Sequence, residues 1–194
     1  YEKTGNSIDI LSTIKRLADG LRVGQYFDFE TLKRLSVSKT NLDSLLFLSV
    51  NSYNQIDRYL RENNRGSISA LMIAGVWIEG QYLATQVALT SDNRILRDRI
   101  GEQKVILGDL LMLLGPYRNS GEEYGSLYRM MEGLNEKYAG VKVSYRLGEP
   151  ETLEEDGRLV MVQHEESIVE MSDSQLAEIA EMSKEVRNKL ISGK

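Results

Sequence analysis

The run Ser67 to Leu89, SISALMIAGVWIEGQYLATQVAL, constrains this chain more than any other stretch. Apolar or small residues fall on nearly every side of its helical projection, and a helix apolar all round is buried in a core rather than laid on a surface. Ala70, Ala74, Gly75, Gly80, Ala84 and Ala88 would let neighbouring backbones come close. Gly75 and Gly80 each cost a helix about 1 kcal/mol against alanine, so a packing reason is expected for both. The run is long enough to span a bilayer, but Glu79, Gln81 and Gln86 interrupt it, which favours the buried helix of a soluble bundle.

The flanking segments carry helical patterns of their own. Ile8, Leu11, Ile14, Leu17 and Ala18 predict a first helix stopped near Gly20. After a short connection at Gly24 to Phe27, Asp28 caps a brief helix holding Phe29, Leu32 and Leu35. Thr40 with Asp43 resembles a capping box and opens a helix with Leu42, Leu45, Leu46, Tyr53, Ile56 and Leu60, ending about Asn63. Asn64 to Gly66 breaks the chain, and Ser67 is expected to cap the central helix, which makes an antiparallel hairpin of two long helices. Beyond Ser91 to Asn93, the stripe Ile95, Leu96, Ile100, Leu107, Leu110, Leu111 and Leu114 predicts another helix, ended by Gly115-Pro116. Ser120 with Glu123 reads as a second capping box, before a helix with Tyr124, Leu127, Met131, Leu134 and Tyr138.

The period then changes. Val141, Val143 and Tyr145 alternate with polar residues as in a strand. Gly148 to Gly157 reads as an acidic loop, and Arg158 to Val162, with Ser167 to Met171, as a returning strand. A lone hairpin is marginal in water, so it should lie on the helices. Ser172 with Gln175 forms a third capping box, leading a last helix with Leu176, Ile179, Ala180, Met182, Val186 and Leu190. The expectation is a mainly α protein: one domain over residues 1–194, a bundle of six or seven helices with a small β-hairpin before the C-terminal helix.

Composition narrows the chemistry. A net charge of -5 disfavours nucleic acid as a partner, since phosphate binding needs a concentrated basic face. The chain has no cysteine and one histidine, His164, which removes thiolate chemistry and multi-histidine metal sites. No metal or cofactor is expected.

The order of motifs resembles a family of uncharacterised, lipid-anchored, mostly helical proteins of Bacteroidetes. The matching pieces are NLDSL (Asn41 to Leu45), Ser52-Tyr53, YLRENNR (Tyr59 to Arg65), GVWIEGQYLA (Gly75 to Ala84) and RIGEQK (Arg99 to Lys104). The strand Val141 to Tyr145 and the last helix, with Ser172, Gln175, Leu176 and Val186-Arg187, also fit. The resemblance implies an exported cell-envelope protein, held to the membrane only through a lipidated anchor outside this chain. It brings no activity with it.

Glu79 is the acid to watch. A buried carboxylate must be paired, hydrogen-bonded or protonated, and Arg58, Arg65, Arg99 and Lys104 are its candidate partners. As a structural ion pair it would fix helix register; as a site it would sit in a ligand pocket framed by Tyr53, Trp77 and Tyr82. Asp57, Glu62, Glu102 and Asp109 could supply paired acids, but their spacing reads as exposed helix faces. His164-Glu165-Glu166 and the acidic run Glu151, Glu154, Glu155 and Asp156 read as solvated turns, since neither has the spacing of a metal loop. The leading expectation is a non-catalytic module or scaffold that binds a protein or small-molecule partner. The alternatives are an enzyme using carboxylate and tyrosine chemistry around Glu79, and a sensor subunit with an apolar cavity between helix hairpins.

Overall fold

A computed structural model describes residues 2–36, 42–148, 150–155, 158–163 and 165–192. The protein is mainly α, with seven α-helices among the described residues: α1 (Glu2–Gly20), α2 (Phe29–Ser36), α3 (Leu42–Glu62), α4 (Gly66–Ala88), α5 (Arg94–Leu114), α6 (Glu122–Lys137) and α7 (Asp173–Ser192). Four short strands precede α7: β1 (Lys142–Leu147), β2 (Glu151–Glu155), β3 (Arg158–Val162) and β4 (Glu165–Glu170). The chain groups into two compact units, Tyr1–Ser69 and Ala70–Lys194, divided inside α4 rather than at a linker.

In the first unit, two helices end by the same device. Val23 N–H donates to Ala18 C=O at 2.8 Å and Arg22 N–H to Asp19 C=O at 3.0 Å, with Arg22 left-handed at φ 58°. At the end of α3, Arg65 N–H reaches Leu60 C=O at 2.7 Å and Asn64 N–H reaches Arg61 C=O at 3.1 Å, with Asn64 also at φ 58°. Both are Schellman closures, in which a left-handed residue lets two N–H groups satisfy the last carbonyls of a helix. Arg65 Nη1 then donates to Leu21 C=O at 2.8 Å and ties the two helix ends together. Asp28 caps α2 as expected, its Oδ1 accepting from Thr31 N–H at 3.0 Å. The capping box expected at Thr40 lies outside the described residues.

The second unit builds its core from Ile100, Leu107, Leu110 and Leu114 of α5, Leu127, Met131 and Leu134 of α6, and Leu176, Ile179 and Val186 of α7. Against them α4 buries one face: Ala70, Ala74, Ile78, Gln81, Thr85 and Ala88, three or four residues apart. Its other face is open, with Val76 72% exposed and Leu83 and Val87 each 54% exposed. The expectation of an encased α4 is therefore corrected. Apart from Ile78, the inward residues are small or polar, while Val76, Leu83 and Val87 on the outward side are large aliphatics, so hydropathy is level around the helix and does not mark the buried side.

Gly75 and Gly80 interrupt nothing and serve no close approach, since a Cβ on either would meet no atom within 4 Å. A close approach is found instead at Gly101 on α5, where a Cβ would overlap Val169 Cγ1 of β4.

Helix starts divide in the same way. Asn93 caps α5 by accepting from Leu96 N–H at 3.0 Å. Ser172 and Gln175 exchange reciprocal bonds of 2.8 and 3.2 Å at the start of α7, as the capping box requires. The box expected at Ser120 does not form: Gly121 is the N-cap of α6 without a side-chain bond, and Ser120 N–H instead closes the preceding turn on Tyr117 C=O at 2.8 Å. Ser67 lies inside the first turn of α4 rather than capping it.

The strands form two antiparallel ladders in series. β1 pairs with β4 from Lys142↔Glu170 to Leu147↔Glu165, and β2 pairs with β3 from Glu151↔Val162 to Glu155↔Arg158. The expected acidic loop thus contains a strand: Glu151–Glu155 pairs residue for residue with β3, whose positions are apolar except Arg158, and its high charge hid it. The ladder of β1 and β4 lies on α5, with Val143 and Val169 packed on the core, whereas among the described residues β2 and β3 make their extensive contacts with each other.

These contacts predict opposite outcomes for two glycines. Gly101→Ala should destabilise the protein by about 1–3 kcal/mol because the new methyl overlaps Val169, while Gly80→Ala should stabilise it by up to about 1 kcal/mol. Urea denaturation of both variants checks the pair; equal effects would contradict the assignment.

Candidate functional site

The expected pocket around Glu79 resolves into separate places. Successive helix residues turn by about 100°, so Trp77 and Glu79, two apart on α4, point to opposite sides. Glu79 turns to α7, where Arg187 donates to it from Nε at 2.7 Å and from Nη2 at 3.3 Å. The same guanidinium lies over the Tyr82 ring, 4.5 Å from its centre. Tyr82 follows Glu79 by three residues and shares its side of α4, so acid, cation and ring form one stack. The hydrogen bond from Arg187 to Glu79 is the main reason its pKa is raised further, so it stays charged. With the Glu79 side chain 45% exposed, this is a surface pair, paired but not dry.

Of the expected cations in the same unit, neither Arg99 nor Lys104 makes this contact. Arg65 is spent on Leu21 C=O. Arg99 binds both Glu102 oxygens, at 2.8 and 3.0 Å. Lys104 donates to Val141 C=O at 2.6 Å and Ala139 C=O at 3.2 Å, closing the end of α6. Arg58 is exposed on α3. The true partner, Arg187, lies 108 residues from Glu79, a separation that leaves no local pattern to read. Tyr53 is half-buried on α3 in the first unit.

Trp77 lies on the α5 side and donates its indole N–H to Gln103 Oε1 at 2.8 Å. With Gly80, Ala84, Leu96 and Arg99 it lines an open groove of about 240 Å³ between α4 and α5. This is the place of the cavity expected of a sensor subunit, and it is a shallow surface groove.

The remaining acids are tied into the scaffold. Burial acts to raise the pKa of Glu102, but the Ser167 hydroxyl and the Arg99 guanidinium outweigh it and hold the carboxyl below its ordinary range. In the first unit, burial likewise acts to raise Asp57, and the Ser69 hydroxyl with Arg61 brings it below the ordinary range. Glu62 and Asp109 are exposed. A polar cleft of about 780 Å³ opens where α5 and α7 begin, lined by charges of both signs. Three pairs join six of them: Arg97 with Asp173 at 2.5 Å, Lys142 with Glu170 at 2.9 Å, and Arg94 with Asp98 at 3.9 Å; Asp92 lines the cleft as well. Among the described residues, no three histidines or acids converge as metal ligands, and no buried side-chain polar atom lacks a partner. Glu151, Glu154 and Glu155 belong to β2; His164 and Asp156 lie outside the described residues.

What the sequence reading missed is the outer face of α4. Val76, Leu83 and Val87, seven and four residues apart, form one exposed aliphatic row, with the exposed Gly80 between the first two. No described helix is long and apolar enough to cross a membrane. Comparison with protein-family models, curated proteins and solved structures gives no match.

The pairing yields a prediction. Because exposed pairs contribute little, Glu79→Gln should leave Tm within about 3 °C of the parent. The loss caused by Arg187→Gln should be smaller in the Glu79→Gln background than in the parent, as thermal melts of the four proteins will show. Equal losses in both backgrounds would contradict a coupled pair.

Proposed function

We propose that this chain is a non-catalytic binding module, and that the outer face of α4 is the surface that meets its partner. The observation that carries this reading is the aliphatic row Val76, Leu83 and Val87, each more than half exposed on a helix whose opposite face is fixed in the core. Exposed apolar residues that gather on one face rather than scatter singly are the kind of surface that marks protein interaction sites. A partner that lays an apolar ridge on this row removes the row from water without breaking any bond of the module. The stack of Glu79, Arg187 and Tyr82 borders the row and offers polar contacts at its rim.

Two further points support binding over catalysis. The acid best placed for chemistry is bonded to Arg187, and Trp77 and Tyr82, which would have framed a substrate beside it, lie on different sides of α4. The setting at the cell envelope, with a lipid anchor, rests on the resemblance to the Bacteroidetes family.

A photo-reactive amino acid placed at Leu83 tests the surface, with the same substitution at the exposed Glu132 of α6 as control. In source cells the Leu83 variant should form a discrete protein adduct that disappears when Val76→Glu is added. The control should form none. No adduct at Leu83, or equal adducts at both positions, would contradict the assignment.

A further inference from the structure

β3 has the composition of an interior strand and stands at an edge. Its sequence, RLVMV, places four apolar residues in a row. An unbroken apolar run of this kind belongs to a strand covered on both faces. Among the described residues, however, β3 has one hydrogen-bonded neighbour, β2. Met161 is 74% exposed.

The register identifies the free backbone groups. Glu155↔Arg158 is the innermost pair of the ladder, and an innermost pair two residues short of meeting exchanges both hydrogen bonds. Bonded and non-bonded pairs then alternate, so Leu153↔Val160 and Glu151↔Val162 are also bonded pairs. The N–H and C=O groups of Leu159 and Met161 therefore point away from β2. An apolar edge with free backbone groups is a template for another strand.

We propose that the open edge of β3 pairs antiparallel with β3 of a second copy of this chain, centred on Val160. The product is a four-stranded sheet with the two β3 strands inside and the two β2 strands outside. In this register Leu159 of each copy meets Met161 of the other, so the groups that β2 leaves free satisfy one another in four hydrogen bonds. Arg158 stands opposite Val162 of the other copy, and the two Arg158 residues lie about 14 Å apart at opposite ends.

Charge selects this strand over its neighbour. Self-pairing of β2 about Leu153 would set Glu151 opposite Glu155 of the other copy, twice over, and like charges directly opposite are destabilising. β3 runs only from Arg158 to Val162, so in this register the pairing stops at Arg158 opposite Val162 at each end. The contact is isologous and closes at two copies. So short an edge buries less than the roughly 1,200 Å² of a stable complex, and the dimer is weak and concentration-dependent.

Sedimentation velocity of the whole chain from about 5 to about 500 µM tests the pairing. The parent protein should pass from monomer to dimer across the series. Met161→Pro removes an outward N–H that β2 does not use and should raise the dimer Kd about tenfold or more. Met161→Lys should do the same by placing a charge on the edge, and it carries the test if the proline variant loses its strand signal in circular dichroism. Leu83→Glu on α4 should leave dimerisation unchanged, which separates this contact from the partner surface proposed above. A parent that stays monomeric throughout would overturn the proposal. So would a dimer that survives Met161→Lys, or one that is lost with Leu83→Glu.

Discussion

One buried phenol joins three segments of the second unit. Tyr138, wholly buried just past the end of α6, donates its hydroxyl to the Ile100 carbonyl of α5 at 3.1 Å. The same oxygen accepts from Gln81 Nε2 of α4 at 2.6 Å. Burial raises the Tyr138 pKa well above the usual phenol range, with the Gln81 bond opposing only in part. In a low-dielectric interior such a node is strong when complete and costly when broken. It sets the rotation of α4. Apolar residues on all sides give that helix no hydropathy reason to prefer one face, and Gln81 supplies the reason by needing a partner inside. Once Gln81 points inward, Ala74, Ile78, Thr85 and Ala88 follow, and Val76, Leu83 and Val87 are left in solvent.

The node also anchors what surrounds it. One residue beyond Ile100, Gly101 lets β4 approach α5 closely enough for Val169 to reach the core. One turn further, Lys104 satisfies the Ala139 and Val141 carbonyls where the chain leaves α6 for β1. Glu102, between them, accepts from Ser167 of β4. A single turn of α5 thus fixes the end of α6 and the base of the β-ribbon, and the ribbon delivers the chain to the capping box of α7. Among the described residues, the distal strand β3 has one hydrogen-bonded neighbour, β2.

Much of this plan was legible along the chain. Helical stripes located α5, α6 and α7, and Asp28 and the Ser172–Gln175 pair act as their side chains predict. The misreadings share a physical cause, because local signals were overridden by contacts distant in sequence. Glu79 gave no hint of Arg187. Gly75 and Gly80 looked like packing glycines, while a helical glycine that does admit a close neighbour is Gly101, set by a valine 68 residues on. The open face of α4 was visible as a pattern of size rather than polarity: Ala70, Ala74, Thr85 and Ala88 on one side, Val76, Leu83 and Val87 on the other. The extra ladder was signalled by Asp156-Gly157, a dipeptide favoured in two-residue hairpins, but the glutamates around it read as loop.

The central claim is that the bond between Gln81 and Tyr138 sets how α4 lies in the second unit. A double-mutant cycle with Gln81→Leu and Tyr138→Phe, followed by urea denaturation, tests it most directly. Tyr138→Phe should cost about 1–3 kcal/mol in the parent because it leaves the buried Gln81 amide unpartnered, and at least about 1 kcal/mol less in the Gln81→Leu background. Equal costs in the two backgrounds, within about 0.5 kcal/mol, would contradict the account.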